Sequence, residues 1–538
     1  MPAQLLREML QEVIGAHISP DLDPGVTGVT QDSRSVTPGT AFVALPGFTV
    51  DGHQYLESAI ANGAAALIVQ SDRAQLWQPI ADTHPEIAVV SVDDTRAALP
   101  KIAAAFHDFP ARKLNVVGVT GTDGKSTTTY LIHAMLSAAG HQTGLINGVE
   151  FRVGGVWSRN ETGETTPEAD IIQAKLAEMV AAGDTHAVLE VSSHALELHR
   201  ADEINTRVAV FTGLSDDHLD FHGTRENYLA AKLKLFHSLD DNQIPISPRE
   251  EGETVSLLSP REAGGDAEGR GGHLPTTPAA IVRAEDPLRD TITSAHSQQT
   301  VIATATPGTT ADVSVLPGSQ DARGSDVRFV TPAGALGARL PMPGDYNLGN
   351  AALAAGAAWS LGVGPVAMQT AVNNLRPVPG RMESIGAGQP FTVIVDAAAT
   401  GPALELALQA LKPHVTGRLI LVFGVAGERD PIRKSSMASS AARHADHTVI
   451  SNENPRSEDP VEMVDEIASH FVESGGTSFD RQPDRREAIR RAISLARPDD
   501  LVLIAGKGAE PTLIYADRVE PWDDREVTRS LVAELLSR

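Results

Sequence analysis

The chain has 538 residues, 41% of them hydrophobic, with a formal net charge of −25 and no cysteine. That length suits about three to four domains with their own cores, and the missing cysteines exclude disulfides, thiolate nucleophiles and cysteine-bound zinc. The acidic balance argues against nonspecific binding to nucleic acid or to an anionic membrane, so an anionic substrate must be held by local cations and helix N-termini.

The opening stretch MPAQLLREMLQEVIGAHI reads as an amphipathic helix with interspersed acids, and it lacks the basic-then-apolar order of a signal peptide. Export is therefore not expected, and a cytoplasmic protein is. Short β-type runs, AFVAL and AALIV, and the helical pattern TRAALPKIAAAFHDF before Pro110 predict a small α/β domain over residues 1–111. Over 112–377, the strands NVVGVT, HAVLEV and RVAVFTGL alternate with the helices STTTYLIHAMLSAAG and EADIIQAKLAEMVAAG, the pattern of a parallel sheet covered by helices.

Residues 240–278 are rich in Gly, Glu, Ser and Pro without an apolar period and read as a mobile surface insertion. From Tyr346 to Leu375 no residue is charged, yet Ala and Gly dominate, so AALAAGAAWSLGV reads as a packed core helix and not a membrane span. A second alternating series over 378–538, with strands FTVIVDA, RLILVFGV, HTVISNENP and LVLIAGKG, predicts a third domain of parallel α/β type.

Val116 to Thr127, VVGVTGTDGKST, reads as a buried strand turning through glycines into a helix. Such a turn lets backbone N–H groups converge on a phosphate, while Lys125 reaches its terminal oxygens and the Ser126 hydroxyl can ligate Mg²⁺. The generic phosphate loop has a glycine where this chain has Val119, and the glycines here fall at 118, 121 and 124. ATP is the expected ligand, and a generic nucleotide-hydrolysing domain is the alternative.

Three further polar clusters follow predicted strands, where parallel sheets place ligand sites. Glu190 in EVSSH is a candidate Mg²⁺ ligand, the alternative being a capping serine beside a solvated acid. The run SDDHLDFHG, residues 215–223, gathers acids and two imidazoles ahead of a helix that contains Lys232. In the last domain, Arg456 of NPR offers a planar fork for a carboxylate, and Glu510 of GKGAE could pair with an ammonium group; together they suit an amino acid.

These clusters, in this order, resemble the Mur ligases, and among them the MurE type that adds a diamino acid to UDP-N-acetylmuramoyl-L-alanyl-D-glutamate. The resemblance covers nearly the whole chain. It implies three α/β domains: a small UDP-binding one, a central phosphate-loop ATPase domain, and a Rossmann-like one for the amino acid.

Residue by residue, the resemblance implies that Ser33 and His53 lie near the uridine diphosphate, and that Thr165, Thr166, Ser192 and Arg200 hold the muramoyl peptide. Gly121, Thr122, Asp123, Gly124, Lys125, Ser126 and Thr127 would cradle the triphosphate, with Asn347, Asn350, Arg381 and Asp396 also facing the nucleotide. Ser126, Glu190 and His218 would serve two Mg²⁺ ions, with Lys232 as the lysine this family carbamylates. Asn454, Arg456, Gly506 and Glu510 would form the amino-acid pocket. The implied reaction passes through an acyl phosphate, with meso-diaminopimelate as the acceptor that Arg456 favours, in a monomer that binds neither nucleic acid nor membrane.

The chain departs from the family pattern at several points. Ala397 and Ala399 stand where YAHTP has an aromatic and an imidazole, and Asp123 stands where Asn is usual. Gly213 replaces Asn, Asp216 and Lys434 replace or displace arginines, Ala426 replaces a glycine, and Ala509 replaces the His of GKGHE. The changes concentrate in the third domain. They leave three readings open: a diaminopimelate ligase, a ligase for lysine or ornithine, and a paralogue that binds the UDP-muramoyl peptide with little ligation.

Overall fold

The computed structural model describes residues 3–13, 15–18, 22–47, 50–241 and 278–537. Most of the insertion expected over 240–278 lies outside these residues; the helix Arg225–Asp241 runs into its start, and the strand Ala279–Arg283 follows.

Three α/β units follow one another along the chain. In the first, the strands Gly28–Thr30, Thr40–Val43, Ala66–Gln70 and Ala88–Val92 pair in parallel, and His17–Ile18 closes the far edge antiparallel to Ala88–Val92. The opening helix is shorter than its periodicity predicts. Gln4–Leu5 pair antiparallel with Gly25–Val26, and among the described residues of this stretch Leu6–Met9 are helical, with Leu6 and Met9 buried.

The middle unit holds an 11-stranded sheet. Its parallel centre runs in the order Thr143–Ile146, His186–Glu190, Asn115–Thr120, Thr206–Phe211, Ala279–Arg283, Gln299–Thr304. These strands are almost wholly buried because helices cover both faces, which explains their continuous apolar runs. One edge is extended by the antiparallel strands Glu150–Val153 and Val156–Arg159; the other by Val313–Asp321, parallel to Gln299–Thr304, and then by Gly324–Thr331 and Gly334–Leu340, each antiparallel to the strand before it. The uncharged Ala-rich stretch is the helix Asp345–Ser360, buried along nearly its whole length against this sheet.

The last unit has a six-stranded sheet in the order Glu383–Ser384, Thr392–Asp396, Leu501–Ala505, Leu419–Phe423, His447–Ile450, Phe479–Arg481, parallel except at its first pair. Because every parallel strand ends at the same edge, the loops after Asp396, Phe423, Ile450 and Ala505 converge there. Arg485 ties two of those loops together. It is fully buried, grips Asp524 through Nε and Nη2 at 2.8 and 2.6 Å, and donates to the carbonyls of Asn452 and Ala505. Arg485→Ala would leave a buried carboxylate without its cation, and it is expected to destabilise this unit by about 3–5 kcal/mol in denaturant unfolding.

Units meet through specific contacts. Ala169, which begins the helix Ala169–Ala181, packs into the core of the first unit, and Asp170 accepts from the Gln31 N–H at 3.3 Å. The third unit reaches the middle one through Arg433, whose Nη2 lies 2.7 Å from Asp217, and through Tyr346, which packs against the third unit's core. Among the described residues no helix is long and apolar enough to cross a membrane.

Candidate functional site

The strand Asn115–Thr120 runs into Gly121, and the helix Lys125–Ala138 starts directly after Gly124. Gly124 has φ +84°, and a Cβ there would come within 2.3 Å of Asn350 Oδ1, so only glycine fits the turn. Thr122 is fixed by Tyr228 and by Ser215, and Thr212 Oγ1 donates to the Asp123 carbonyl at 2.6 Å. The Asp123 carboxylate, unusual in this loop, accepts from Ser215 Oγ at 3.3 Å. Lys125 Nζ turns back to the carbonyls of Thr122 and Gly121 at 2.8 and 3.3 Å.

Beside this loop lies a cavity of about 360 Å³, lined from the middle unit by Asp123 to Thr127, Thr165, Glu190, His218, Asn347 and Asn350. The third unit supplies Arg381, Asp396, Ala397 to Thr400, Arg429, Arg433 and Glu510. Glu190 is the last residue of its strand and is buried; its Oε2 accepts from Ser126 Oγ at 2.9 Å. Arg381 crosses from the third unit to place Nη2 3.3 Å from Ser126 Oγ.

His218 sits at φ +54° with Nε2 3.3 Å from Asp217 and its ring 4.7 Å from that of His194. Burial pushes its pKa down to about 4, so the imidazole is neutral at neutral pH. Lys232 is 1% exposed and donates to the Gly121 carbonyl at 2.7 Å, behind the loop and outside the cavity lining. Burial, and then the charge of Lys125, push this amine well below the ordinary lysine range.

Several expected ligand residues turn out to be engaged with the protein itself. His53 is 1% exposed; its Nε2 accepts from the Gln70 N–H at 3.0 Å and its Nδ1 lies 2.6 Å from Asp51. Both ring nitrogens are thus used, and His53 does not line the nearby cavity of about 440 Å³, which Ser33, Arg34, Tyr55, Arg96 and Glu168 border. His53 is thus a buried histidine held by its own fold, and Gly52 and Tyr55, before and after it in the chain, border that cavity. Ser192 caps the helix Ser193–Glu197 by accepting from the Ala195 N–H, and Thr166 Oγ1 donates to the Glu190 carbonyl. Asp396 lines the cavity, but its two oxygens accept from the N–H groups of Met382 and Ala398. Asn347 donates to the Pro343 carbonyl and accepts from Asn350.

Arg200 pairs with Glu164 at 3.0 Å and Glu168 at 2.8 Å. Glu168 borders the first unit's cavity while Thr165, three positions earlier, borders the phosphate-loop cavity. One short segment therefore spans both hollows.

In the third unit, Asn454 Oδ1 accepts from Lys507 Nζ at 2.8 Å and from the Ile514 N–H, and its Nδ2 donates to Glu510. Gly506 has φ +114° beside Glu453. Arg456 Nη1 lies 4.0 Å from Glu428, a loose contact that leaves the guanidinium available. Sequence reasoning passed over Glu453, Arg429 and Arg433. Partial loss of water, and then the like charges of Arg456 and Arg433, lower the Arg429 pKa, so three arginines concentrate positive charge at this mouth. They supply the local cations that an acidic chain needs for an anionic substrate.

Glu453 is 4% exposed, its Oε2 has no hydrogen-bond partner, and burial followed by the charge of Glu510 raises its pKa to about 7. A raised carboxyl binds its proton more tightly folded than unfolded, so stability falls as pH climbs from about 4.5 to about 7 and no further above that. Glu453→Gln is therefore expected to lose less stability than the parent between about pH 5 and pH 7.5, read as the difference in Tm.

Of the departures from the family pattern, Lys434 is taken up by Glu458 and Glu466, each at 2.7 Å. Asp216 lies 3.7 Å from Arg225, and the Ala509 carbonyl accepts from Arg159. Ala397 packs where a Cβ on Gly508 would come within 2.7 Å.

Residues 25–107 match the Mur ligase family catalytic domain, 119–259 the Mur ligase middle domain and 380–508 the Mur ligase glutamate ligase domain. The UDP-N-acetylmuramyl-tripeptide synthetase of Roseiflexus sp. (strain RS-1) is 37% identical over 98% of this chain and 99% of its own length. The UDP-N-acetylmuramoyl-L-alanyl-D-glutamate--2,6-diaminopimelate ligase of Geobacillus kaustophilus (strain HTA426) is 35% identical over 98% and 99%. A solved structure of a ligase with that same name superposes over 99% of both chains, with a TM-score of 0.61 at 26% identity. With its phosphate loop, buried Ser126–Glu190 pair and three α/β units in this order, the chain belongs to the Mur ligase family, the ATP-dependent ligases of peptidoglycan precursor synthesis.

Proposed function

We propose that the protein joins a diamino acid, meso-diaminopimelate, to UDP-N-acetylmuramoyl-L-alanyl-D-glutamate through an acyl phosphate. The observation that carries this reading is the segment Thr165–Glu168, which borders the first unit's cavity at one end and the phosphate-loop cavity at the other. A nucleotide-linked sugar in the first hollow can thread its peptide along this segment toward Ser126 and Lys125.

Mg²⁺ fits the donor set. The Ser126 hydroxyl and the Glu190 carboxylate are buried oxygen donors 2.9 Å apart, with His218 on the same cavity. Among the described residues no group of three His, Asp or Glu could hold a metal unaided, so phosphate oxygens and water must complete the shell, as Mg²⁺ prefers. When bound, Mg²⁺ offsets negative charge on the phosphates.

Burial lowers the pKa of Lys232, which favours the uncharged amine that adds CO₂: an N–C bond would form as a C–O π bond opens, the nitrogen would lose a proton, and a carbamate would result. That carboxylate would serve a second Mg²⁺, where the ammonium form would repel it.

The protein's own groups mainly position and stabilise. The loop amides and Lys125 hold the triphosphate while the substrate carboxylate attacks the γ-phosphorus and ADP leaves. Arg381 of the third unit, 3.3 Å from Ser126 Oγ, would meet the same phosphates and so help hold the two units together. The acceptor amine then attacks the acyl carbon, phosphate leaves, and the amine loses its proton. No side chain acts as nucleophile.

The test is incubation with ATP, Mg²⁺, the UDP-muramoyl dipeptide and, in turn, diaminopimelate, lysine and ornithine, followed by product mass. A product with diaminopimelate is expected. A product with lysine or ornithine alone would overturn the acceptor assignment, and peptide binding without any product would overturn ligation. Arg456→Ala should raise the KM for diaminopimelate by about 10²-fold, since a charge-assisted pair is lost, while leaving the KM for ATP within about twofold. Equal rises in both would remove Arg456 from the acceptor pocket.

A further inference from the structure

The chain enters the third unit through a tight turn, Gly380-Arg381-Met382, whose backbone is strained. Gly380 has φ +63°, where a Cβ would come within 2.4 Å of the Ala509 nitrogen, and Met382 has φ +45° although it carries a side chain. Such conformations persist only where neighbours hold them, and all three amides of this turn are held. The Gly380 N–H donates to Glu383 Oε2 at 2.9 Å, the Arg381 N–H to the Val378 carbonyl at 3.0 Å, and the Met382 N–H to Asp396 Oδ2 at 2.7 Å. The turn sends Arg381 across to Ser126 Oγ, 3.3 Å from its Nη2.

Glu383 is itself clamped. It is buried, and its strand Glu383–Ser384 pairs with Thr392–Asp396. Its Oε1 accepts from Arg529 Nη2, and its Oε2 stands 3.6 Å from Arg525 Nη1. Both arginines belong to the last helix, Asp524–Leu536. Arg525 pairs also with Asp523 at 2.7 Å, and Asp523 lies 3.4 Å from Arg159 of the middle unit. A carboxylate gripped by two guanidiniums through charge-assisted contacts is a rigid acceptor for the Gly380 amide.

An ion cluster that only docked the last helix would stop at the carboxylate. Here it continues into the amide directly before Arg381, the base of a long side chain whose reach depends on where its backbone is fixed. Displacing a positioned group by about 1 Å can cost about 10²-fold in rate even when the change is made far from the reacting atoms. The clamp therefore acts on the one cation that the third unit brings to Ser126.

We propose that Glu383, clamped by Arg525 and Arg529, is a positioning residue for Arg381. It sets the turn that delivers the guanidinium to the phosphate-loop cavity, so the last helix of the chain contributes to phosphoryl transfer without touching the substrate. This inference rests on the reading that Arg381 meets the nucleotide phosphates.

The test is a double-mutant cycle on the full chain, with Glu383→Ala made in the parent and in Arg381→Ala. Alone, Glu383→Ala should lower kcat about tenfold with the KM for the diamino acid within about twofold; added to Arg381→Ala it should lower kcat by less than about twofold more. Amide hydrogen exchange over residues 379–383 should quicken by about tenfold in Glu383→Ala. Arg529→Ala, at a half-exposed position, loosens the clamp while leaving the carboxylate on Gly380, so a folding defect of Glu383→Ala leaves the cycle readable; it should show the same pattern at about threefold. Equal losses in both backgrounds, or unchanged exchange over 379–383, would separate Glu383 from Arg381 and overturn the proposal. An Arg381→Ala variant with the parent's kcat would instead overturn the reading that Arg381 meets the phosphates.

Discussion

Replacing Lys125 by Ala is expected to lower ADP release by about 10³-fold or more, equivalent to about 4 kcal/mol of transition-state stabilisation. Lys125 Nζ rests on the carbonyls of Thr122 and Gly121, a position it can leave for a phosphate oxygen without any backbone movement. Its loss removes positive charge from a loop that already carries the extra carboxylate of Asp123, so charge developing on the transferring phosphoryl group meets less compensation. The fold should be indifferent, because Lys125 lies at the first turn of a helix that is anchored by Tyr130, Leu131 and Ile132 in the core. The measurement is steady-state ADP release, with Tm as the control. A loss below about tenfold at unchanged Tm would place the phosphates elsewhere.

The second large effect is expected at Lys232. Lys232→Met fills most of the same volume with an apolar chain and should lower kcat by about 10²-fold or more, and removing dissolved CO₂ should reduce the parent's activity in the same direction. Lys232→Ala opens space beside Gly121, and a short free carboxylate such as acetate should restore part of its activity, since it supplies the group that the carbamate would supply. Rescue of Lys232→Ala but not of Lys232→Met would fit a carboxylate role. A parent insensitive to CO₂, with no rescue of either variant, would leave Lys232 as an unmodified amine that only ties the loop through Gly121.

Why the phosphate loop was readable from sequence and other parts were not follows from the range of the forces involved. A buried apolar strand, glycines that permit φ values such as +84° at Gly124, and a helix beginning at Lys125 are all local, so a dozen residues determine the turn. Strand ends such as Glu190 and Asp396 were legible for the same reason, because parallel strands reveal themselves by continuous apolar runs. The opening helix was misjudged because its fate depends on Gly25–Val26, a pairing that periodicity cannot see.

His53 shows the limit for side chains. The resemblance puts it near the uridine diphosphate, and only the structure shows that Gln70 and Asp51 occupy its two ring nitrogens. Arg433 is the converse case: in sequence it is one cation in a charged run, and its partner Asp217 is 216 positions away. Glu453 and Arg485 stayed hidden because their importance comes from burial between loops that sequence order separates. The family resemblance supplied roles for residues such as Thr165 and Arg200 that no local pattern would have singled out.

Ligation requires that the nucleotide at Gly124 and the carboxyl group of a UDP-linked peptide lie together in one cavity. This is tested most directly by following ADP release from ATP and Mg²⁺ with and without the UDP-muramoyl dipeptide, the diamino acid being present throughout. Release that depends on the dipeptide and keeps step with formation of the extended peptide is the predicted result. Release at the same rate in its absence would contradict the claim and leave a nucleotide hydrolase with no activated carboxyl group.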